Sequence, residues 1–268
     1  MTRPDINYNE IDALAQAMAD AARAAILPHF RSKALTAQNK LADGFDPVTE
    51  ADRAAERAMR EILQLKRPQD AFLGEDFGAK SGTSGLTWVL DPIDGSRGFV
   101  SGTPTWGVLI AVSDATGPRY GLIDQPYVGE RFIGLGTTGR MNGPLGEAPL
   151  QTLAPRPLSE ATVFTTFPEV GTLQESRAFH EVASGARLTR YGMDCYAYAL
   201  LAAGQVDLVI EAGLQSYDIQ APIAVIEAAG GIVTDWSGNP AHEGGRAIAA
   251  ANAEIHREAL AILKRSMA

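Results

Sequence analysis

The sequence predicts a layered α/β protein built as two lobes, and three observations lead there. Between residues 105 and 138 the apolar segments "TWGVLIAVS", "PRYGLIDQP" and "ERFIGLGTT" are separated only by short turn signals, "DATG" and "YVG", a spacing that pairs successive strands antiparallel. From Ser159 onward helical and strand patterns alternate, as in a lobe with helices layered on a sheet. Between these regions "LAPRPL", residues 153–158, carries two prolines that interrupt any regular element and mark a boundary. The predicted organisation is one unit over 1–268, with an N-terminal lobe of about 1–155 containing the antiparallel sheet and a C-terminal α/β lobe of about 156–268.

Taken in order, residues 11–30 place apolar residues at helical spacing, with Asn9 as the predicted cap. "DPVTEADRAAERAMREILQLKR" predicts a second helix, with Thr49 at its cap and Asp52 three positions on as the partner of a capping box; Asp46 stands just before it. A glycine-rich loop, "SGTSG", leads into the strand "LTWVL" and then "DPIDGSRGF". The second lobe reads as strand "ATVFTTF", a helix near "LQESRAFHEVAS", strand "RLTRYG", helix "DCYAYALLAAG", strand "VDLVIEAG", helix "DIQAPIAVIEAAG", strand "GIVTDW" and a final helix "AEIHREALAILKRSM".

Composition narrows the function. Hydrophobic residues form 46% of the chain and charged residues 21%, an ordinary globular mixture. The net charge of −9 disfavours binding to a nucleic-acid backbone, so an acidic protein that handles phosphate needs cations as intermediaries. A single cysteine, Cys195, excludes an intrachain disulfide framework and fits a reducing compartment. The first 30 residues are amphipathic with scattered acids, unlike a signal peptide, and no apolar run approaches a membrane span, so the expected location is the cytoplasm.

The chemistry concentrates in acidic residues at element ends. Asp91 and Asp94 close the strand "WVLDPIDG", where ionised carboxylates need a partner or a ligand, because desolvating them costs several kcal/mol (~3 or more) otherwise. Carboxylates fanned around a turn, with the Ile93 carbonyl between them, suit a hard divalent cation; the plainer reading of "DPIDG" is a turn built from turn-forming residues. "GED" adds Glu75 and Asp76 on a loop, "GFDPVTEAD" adds Asp46, and "YDIQAPIAVIEAAGG" adds Asp218 at the start of an apolar helix. Each has a structural alternative, as helix cap, turn residue or solvated loop charge.

The succession "DPVTEAD", "GED", "WVLDPIDGSRGF" and "YDIQAPIAVIEAAGGIVTDWSG" resembles the inositol monophosphatase family of magnesium-dependent phosphatases over essentially the whole chain. The resemblance implies alternating α and β layers, hydrolysis of a small phosphorylated metabolite, two or three Mg2+ ions with Mn2+ as a substitute, and a homodimer, with no nucleic-acid or membrane partner. It implies that Glu75, Asp91, the Ile93 carbonyl, Asp94 and Asp218 surround the metal ions, and that Asp46, Ser96 and Glu75 are catalytic, Ser96 being directed towards Asp46 to orient the attacking water. Backbone N–H groups of Gly95 and Ser96 would face the phosphate. This chain differs from the usual pattern in having Glu75-Asp76 for a paired glutamate and Ser96 for a threonine; the first carboxylate and the hydroxyl are kept.

"DGSRGFVSGTPTWGVLIAV" and "YGMDCYAYALLAAGQVDLVIE" are most similar to the histidinol-phosphate phosphatases within that family. The resemblance adds Arg97, Asp194 and Glu211 to the substrate-binding set of Gly95, Ser96 and Asp218, with Asp194 and Glu211 holding a ligand's ammonium group. Helix capping is the structural alternative for Asp194 and a surface ion pair that for Arg97. An inositol monophosphatase, a broad small-molecule phosphatase, a nucleotide 3′-phosphatase and a catalytically silent binding protein are the competing readings. The four histidines show no metal-ligand spacing, Cys195 and the tryptophans suit a core, and the glycines of "GLGTTGRMNG" suit hairpin turns.

Overall fold

In the computed structural model, which describes residues 6–33, 35–39 and 47–268, helices and sheets stack in five alternating layers. The outermost layer is α1 (Tyr8–Ile26) against α2 (Glu50–Lys66), separated in the chain by the short antiparallel pair β1 (Gln38–Asn39) and β2 (Pro47–Val48). The cap of α1 is Asn7 rather than the predicted Asn9, its side chain accepting from the Glu10 N–H. That helix also stops at Ile26 instead of reaching Phe30, because Pro28 has no N–H to continue it. The predicted capping box of α2 is present: Asp52 accepts from the Thr49 N–H at 2.8 Å, while Thr49 Oγ1 accepts from the Ala51 N–H at 3.1 Å.

The second layer is an eight-stranded sheet. Its strands are β3 (Ala71–Gly74), β4 (Gly78–Lys80), β5 (Thr87–Asp94), β6 (Gly107–Asp114), β7 (Gly117–Gln125), β8 (Glu130–Leu135), β9 (Thr138–Gly143) and β10 (Gly146–Pro149), with the one-and-a-half-turn helix α3 (Ser96–Ser101) between β5 and β6. The spatial order is β10-β9-β8-β7-β6-β5-β3-β4. Successive strands from β5 to β10 pair antiparallel, as the short turns require, and β3 joins β5 in parallel. The β8–β9 hairpin, with Gly136 at φ +61° in its turn, accounts for the segment "GLGTTGRMNG".

After a 3-10 turn the remaining elements are β11 (Thr162–Thr165), α4 (Leu173–Gly185), β12 (Leu188–Tyr191), α5 (Asp194–Ala202), β13 (Leu208–Leu214), α6 (Ser216–Ala228), β14 (Ile232–Thr234), β15 (Gly245–Ala250) and α7 (Ala253–Met267). They form a five-stranded sheet ordered β12-β11-β13-β15-β14, in which β15 is a strand the apolar pattern did not reveal: "GRAIAA" is too rich in alanine to read as β-branched sheet. Helices α5 and α6 lie between the two sheets, and α4 and α7 cover the far face of the second. Helix α6 is apolar around its whole circumference, as a helix packed on both sides must be. Its N-terminal end therefore opens between the two sheets, where the acidic motifs converge.

Candidate metal and substrate site

Strand β5 does not stop at Leu90, as the sequence suggested, but runs on through the motif to Asp94. The register explains how. Asp91 pairs with Leu109 and Asp94 with Gly107, so three steps on β5 match two on β6, a β-bulge. In a regular strand, residues three apart point to opposite faces; the extra residue returns both carboxylates to the face that meets α5 and α6. Pro92, which cannot donate to a ladder, occupies the bulge. The Asp91 carboxylate accepts from the Ile93 N–H at 3.0 Å, and the turn itself falls one residue after the strand, at Gly95.

Asp91, Asp94 and Asp218 each offer a carboxylate oxygen, and these atoms all lie within 4.8 Å of one another. Asp91 is 2% exposed. Burial, and then the charges of Glu75, Asp94 and Asp218, push its carboxyl well above the usual carboxylate range. Asp94 is raised by burial and by Asp218 and Asp194, although it accepts from the Cys195 N–H at 2.7 Å. Asp218 is the N3 residue of α6 rather than its cap, and accepts from the Gln215 N–H at 2.7 Å. Three converging buried or half-buried carboxylates repel one another unless protons or a cation intervene, and an all-oxygen set of this spacing fits a hard divalent cation.

Glu75 sits at the tip of the β3–β4 hairpin and lines the same cavity, of about 640 Å3. Its position depends on a residue the sequence reading passed over. Glu56 of α2, fully buried, accepts from the N–H groups of Asp76 (2.8 Å) and Phe77 (3.3 Å) and from Arg60 Nε (2.7 Å). Glu56 reaches the loop only because residue 74 is glycine: a Cβ there would stand 2.0 Å from Glu56 Oε1. The clue available in the sequence was a carboxylate on the apolar stripe Ala55, Met59 and Leu63 of α2.

Gly95, Ser96 and Arg97 form one edge of the cavity, at the start of α3. Gly95 adopts φ +86°, and a Cβ there would come within 2.9 Å of the Asp194 side chain. Ser96 Oγ donates to the Ile93 carbonyl at 3.0 Å. Asp46, expected beside it, lies outside the described residues. Arg97 is exposed, and its guanidinium stands 4.7 Å from the centroid of the Phe167 ring, across the cavity mouth from the other sheet.

Asp194 and Glu211 line the same cavity. Asp194 opens α5 in a left-handed conformation, φ +46°, which non-glycine residues hold at a cost. It accepts from Thr105 Oγ1 at 3.2 Å, and burial raises its carboxyl to about 6, opposed by that hydrogen bond and by the Arg97 charge. Glu211, on β13 and 6% exposed, is held by three donors, Thr165 Oγ1 at 3.1 Å, the Thr166 N–H at 2.6 Å and Thr166 Oγ1 at 2.9 Å. Burial nevertheless raises it to about 7, with Asp194 adding to the rise. The residues expected from the sequence at Glu75, Asp94, Gly95, Ser96, Arg97, Asp194, Glu211 and Asp218 thus border one cavity, with Asp91 and Ile93 buried in the adjoining strand.

The family described as "Inositol monophosphatase family" matches residues 7–268. The chain is 39% identical to the bifunctional phosphatase IMPL2, chloroplastic, of Arabidopsis thaliana, over 97% of this chain and 77% of the relative. It is 34% identical to the histidinol-phosphatase of Streptomyces coelicolor, over 93% of this chain and 95% of that one. A solved structure of an inositol monophosphatase from Zymomonas mobilis matches with a TM-score of 0.85 at 36% identity, over 97% of this chain and 100% of that one. With its acidic motifs converging on one cavity and a match of this extent, the protein belongs to the inositol monophosphatase family.

Proposed function

We propose that the protein is a magnesium-dependent phosphomonoesterase that hydrolyses L-histidinol phosphate to L-histidinol and phosphate. The observation that carries this reading is the pair Asp194 and Glu211, two shielded carboxylates on the wall of the cavity that also holds the acidic cluster. A carboxylate raised to about 7 by burial gains most from a ligand that brings its own positive charge, and histidinol phosphate presents an ammonium group together with its phosphate. The Streptomyces coelicolor relative, a histidinol-phosphatase, supports the same substrate.

Asp91, Asp94, Asp218, Glu75 and the Ile93 carbonyl would hold the metal. Mg2+ bound there, or Mn2+ in its place, would neutralise the phosphate's charge, lower the pKa of a bound water and steady the leaving oxygen. The chain's own groups do the positioning: Gly95 and Ser96 N–H groups face the phosphoryl oxygens, Ser96 with Asp46 orients the water for in-line attack, and Asp194 and Glu211 hold the organic part. No covalent enzyme intermediate is required.

A second reading, an inositol monophosphatase, is favoured by the Zymomonas mobilis structure. Steady-state kinetics on both esters, with Asp194→Asn as the probe, separates them. Asparagine tolerates the left-handed backbone and removes only the charge. The histidinol reading expects KM for histidinol phosphate to rise about tenfold or more in this variant while that for inositol 1-phosphate holds; wild-type preference for the inositol ester would overturn it. We further propose two lobes meeting at 153–158 and a homodimer in the cytoplasm; light scattering tests the oligomer. Among the described residues, no helix is long and apolar enough to cross a membrane.

A further inference from the structure

One residue that lines the cavity has no role in the scheme above. Tyr198 lies on α5 four residues after Asp194, and so on the same helical face one turn further on. It lines the cavity, its side chain is 4% exposed, and its hydroxyl has no hydrogen-bond partner among the described residues. Buried hydroxyls are almost always partnered, so an orphan on a residue that borders a cavity points to an acceptor that arrives with a ligand. Its charged neighbours are Glu211 on the substrate side and Asp94 and Asp218 on the cluster side; with burial they push the phenol well above its usual range, so it stays an O–H donor.

We propose that the Tyr198 hydroxyl is a substrate contact that donates to the ester oxygen of the phosphomonoester, the atom that joins the phosphoryl group to the alcohol. This rests on the phosphomonoesterase reading. The inference comes from matching donors to acceptors. Asp194 and Glu211 are matched to the cationic part of the ligand, and the phenol, whose charged neighbours include both Glu211 and the metal-binding aspartates, can satisfy an oxygen at the junction of the two parts. Histidinol phosphate carries oxygen only in its phosphate ester, and the ester oxygen is the one nearest the organic part. During hydrolysis the bond from phosphorus to that oxygen breaks with its electron pair left on oxygen. Water supplies the new bond to phosphorus and, in the balance, the proton of the alcohol. The phenol keeps its own proton and stabilises charge as it develops, the role of a preorganised donor.

Tyr198→Phe removes the hydroxyl and nothing else. The experiment compares kcat/KM of this variant and the wild type on histidinol phosphate, inositol 1-phosphate and p-nitrophenyl phosphate, and records thermal unfolding of both. An alkoxide leaves with more charge to stabilise than a nitrophenolate, so the loss on the alkyl ester should exceed that on the aryl ester by about tenfold. The unfolding midpoint should stay level or rise, because no hydrogen bond among the described residues is lost. Equal losses on both ester types, no loss at all, or a midpoint lowered by several degrees would overturn the proposal. If the wild type prefers inositol 1-phosphate, the substrate reading falls, and the alkyl-to-aryl comparison on that ester still decides the role of Tyr198. Turnover of the aryl ester alone would end both.

Discussion

Replacing Glu56 by alanine tests whether the site is assembled through the α2 helix. The side chain holds two N–H groups of the hairpin that presents Glu75, and pairs with Arg60, itself only 15% exposed. Removing one partner of a buried pair costs about 3–5 kcal/mol. Arg60 keeps the Gly78 carbonyl at 2.6 Å and the Phe72 ring at 4.2 Å, which places the loss at the lower end, about 3 kcal/mol. With roughly 2.1 cal/mol/K of unfolding entropy per residue over 268 residues, the midpoint should fall by about 5 °C. Function should suffer more than stability: a displacement of about 1 Å at a positioned group costs on the order of 100-fold in rate. Calorimetry gives the first quantity, and a magnesium titration of phosphatase activity at 25 °C gives the second. The variant should need several-fold more magnesium for half-maximal rate. An unchanged magnesium requirement, even alongside a lower midpoint, would show that Glu56 does not position Glu75.

Other perturbations read different parts of the site. Magnesium at about 100 times its dissociation constant should add about 2.7 kcal/mol of stability, or about 5 °C, and Asp91→Asn should abolish that increment along with activity, as followed by differential scanning fluorimetry with a chelator control. Glu211, raised to about 7 in the fold, binds its proton more tightly folded than unfolded, so its contribution to stability is full below about 4.5 and lost as pH rises through about 7. Glu211→Gln should therefore raise the melting temperature at pH 8 relative to pH 5 while weakening histidinol phosphate binding, which calorimetric titration of both would register. Asp114, lowered to about 2 through Thr116 and Arg119 in spite of burial, works in the opposite direction: its contribution is present above about 3.8 and lost as pH falls towards 2, and Asp114→Asn should flatten the acid limb of the unfolding curve. Gly95→Ala should lower both stability and activity, since it strains a φ of +86° and drives a methyl group into Asp194; loss of neither in the folded protein would argue against that close packing.

How much of this was legible in the sequence depended on whether the cause was local. The Thr49 capping box, the apolar circumference of α6 and the strand series after β5 are written in short-range spacing, and they appear where that spacing put them. The acidic cluster was legible as residue types at element ends. Its holders were not: Glu56, Thr105, Thr165 and Thr166 are recognisable only once distant elements meet. Strand β15 escaped because alanines fill a crowded sheet interior, where packing and not intrinsic preference selects the side chain. The hydroxyl of Tyr198 reads in sequence as one more half-polar aromatic on an apolar helix. Its burial without a partner among the described residues is what distinguishes it.

The bulge in β5 has a consequence for how this stretch can change over time. Because alternation along a strand is a matter of parity, the facing of Asp94 depends on how many residues separate it from Asp91 more than on which residues those are. An exchange at Ile93 that kept the backbone path would leave both acids aimed at the cavity, whereas regular pairing at the present three-residue step would turn one acid towards the packed interior behind it, and only the loss of one residue between them would let a bulge-free strand keep both on one face. The local irregularity is thus a counting device. It makes the segment tolerant of spelling and ties its length to its pairing, so that a change in one must be matched by a change in the other.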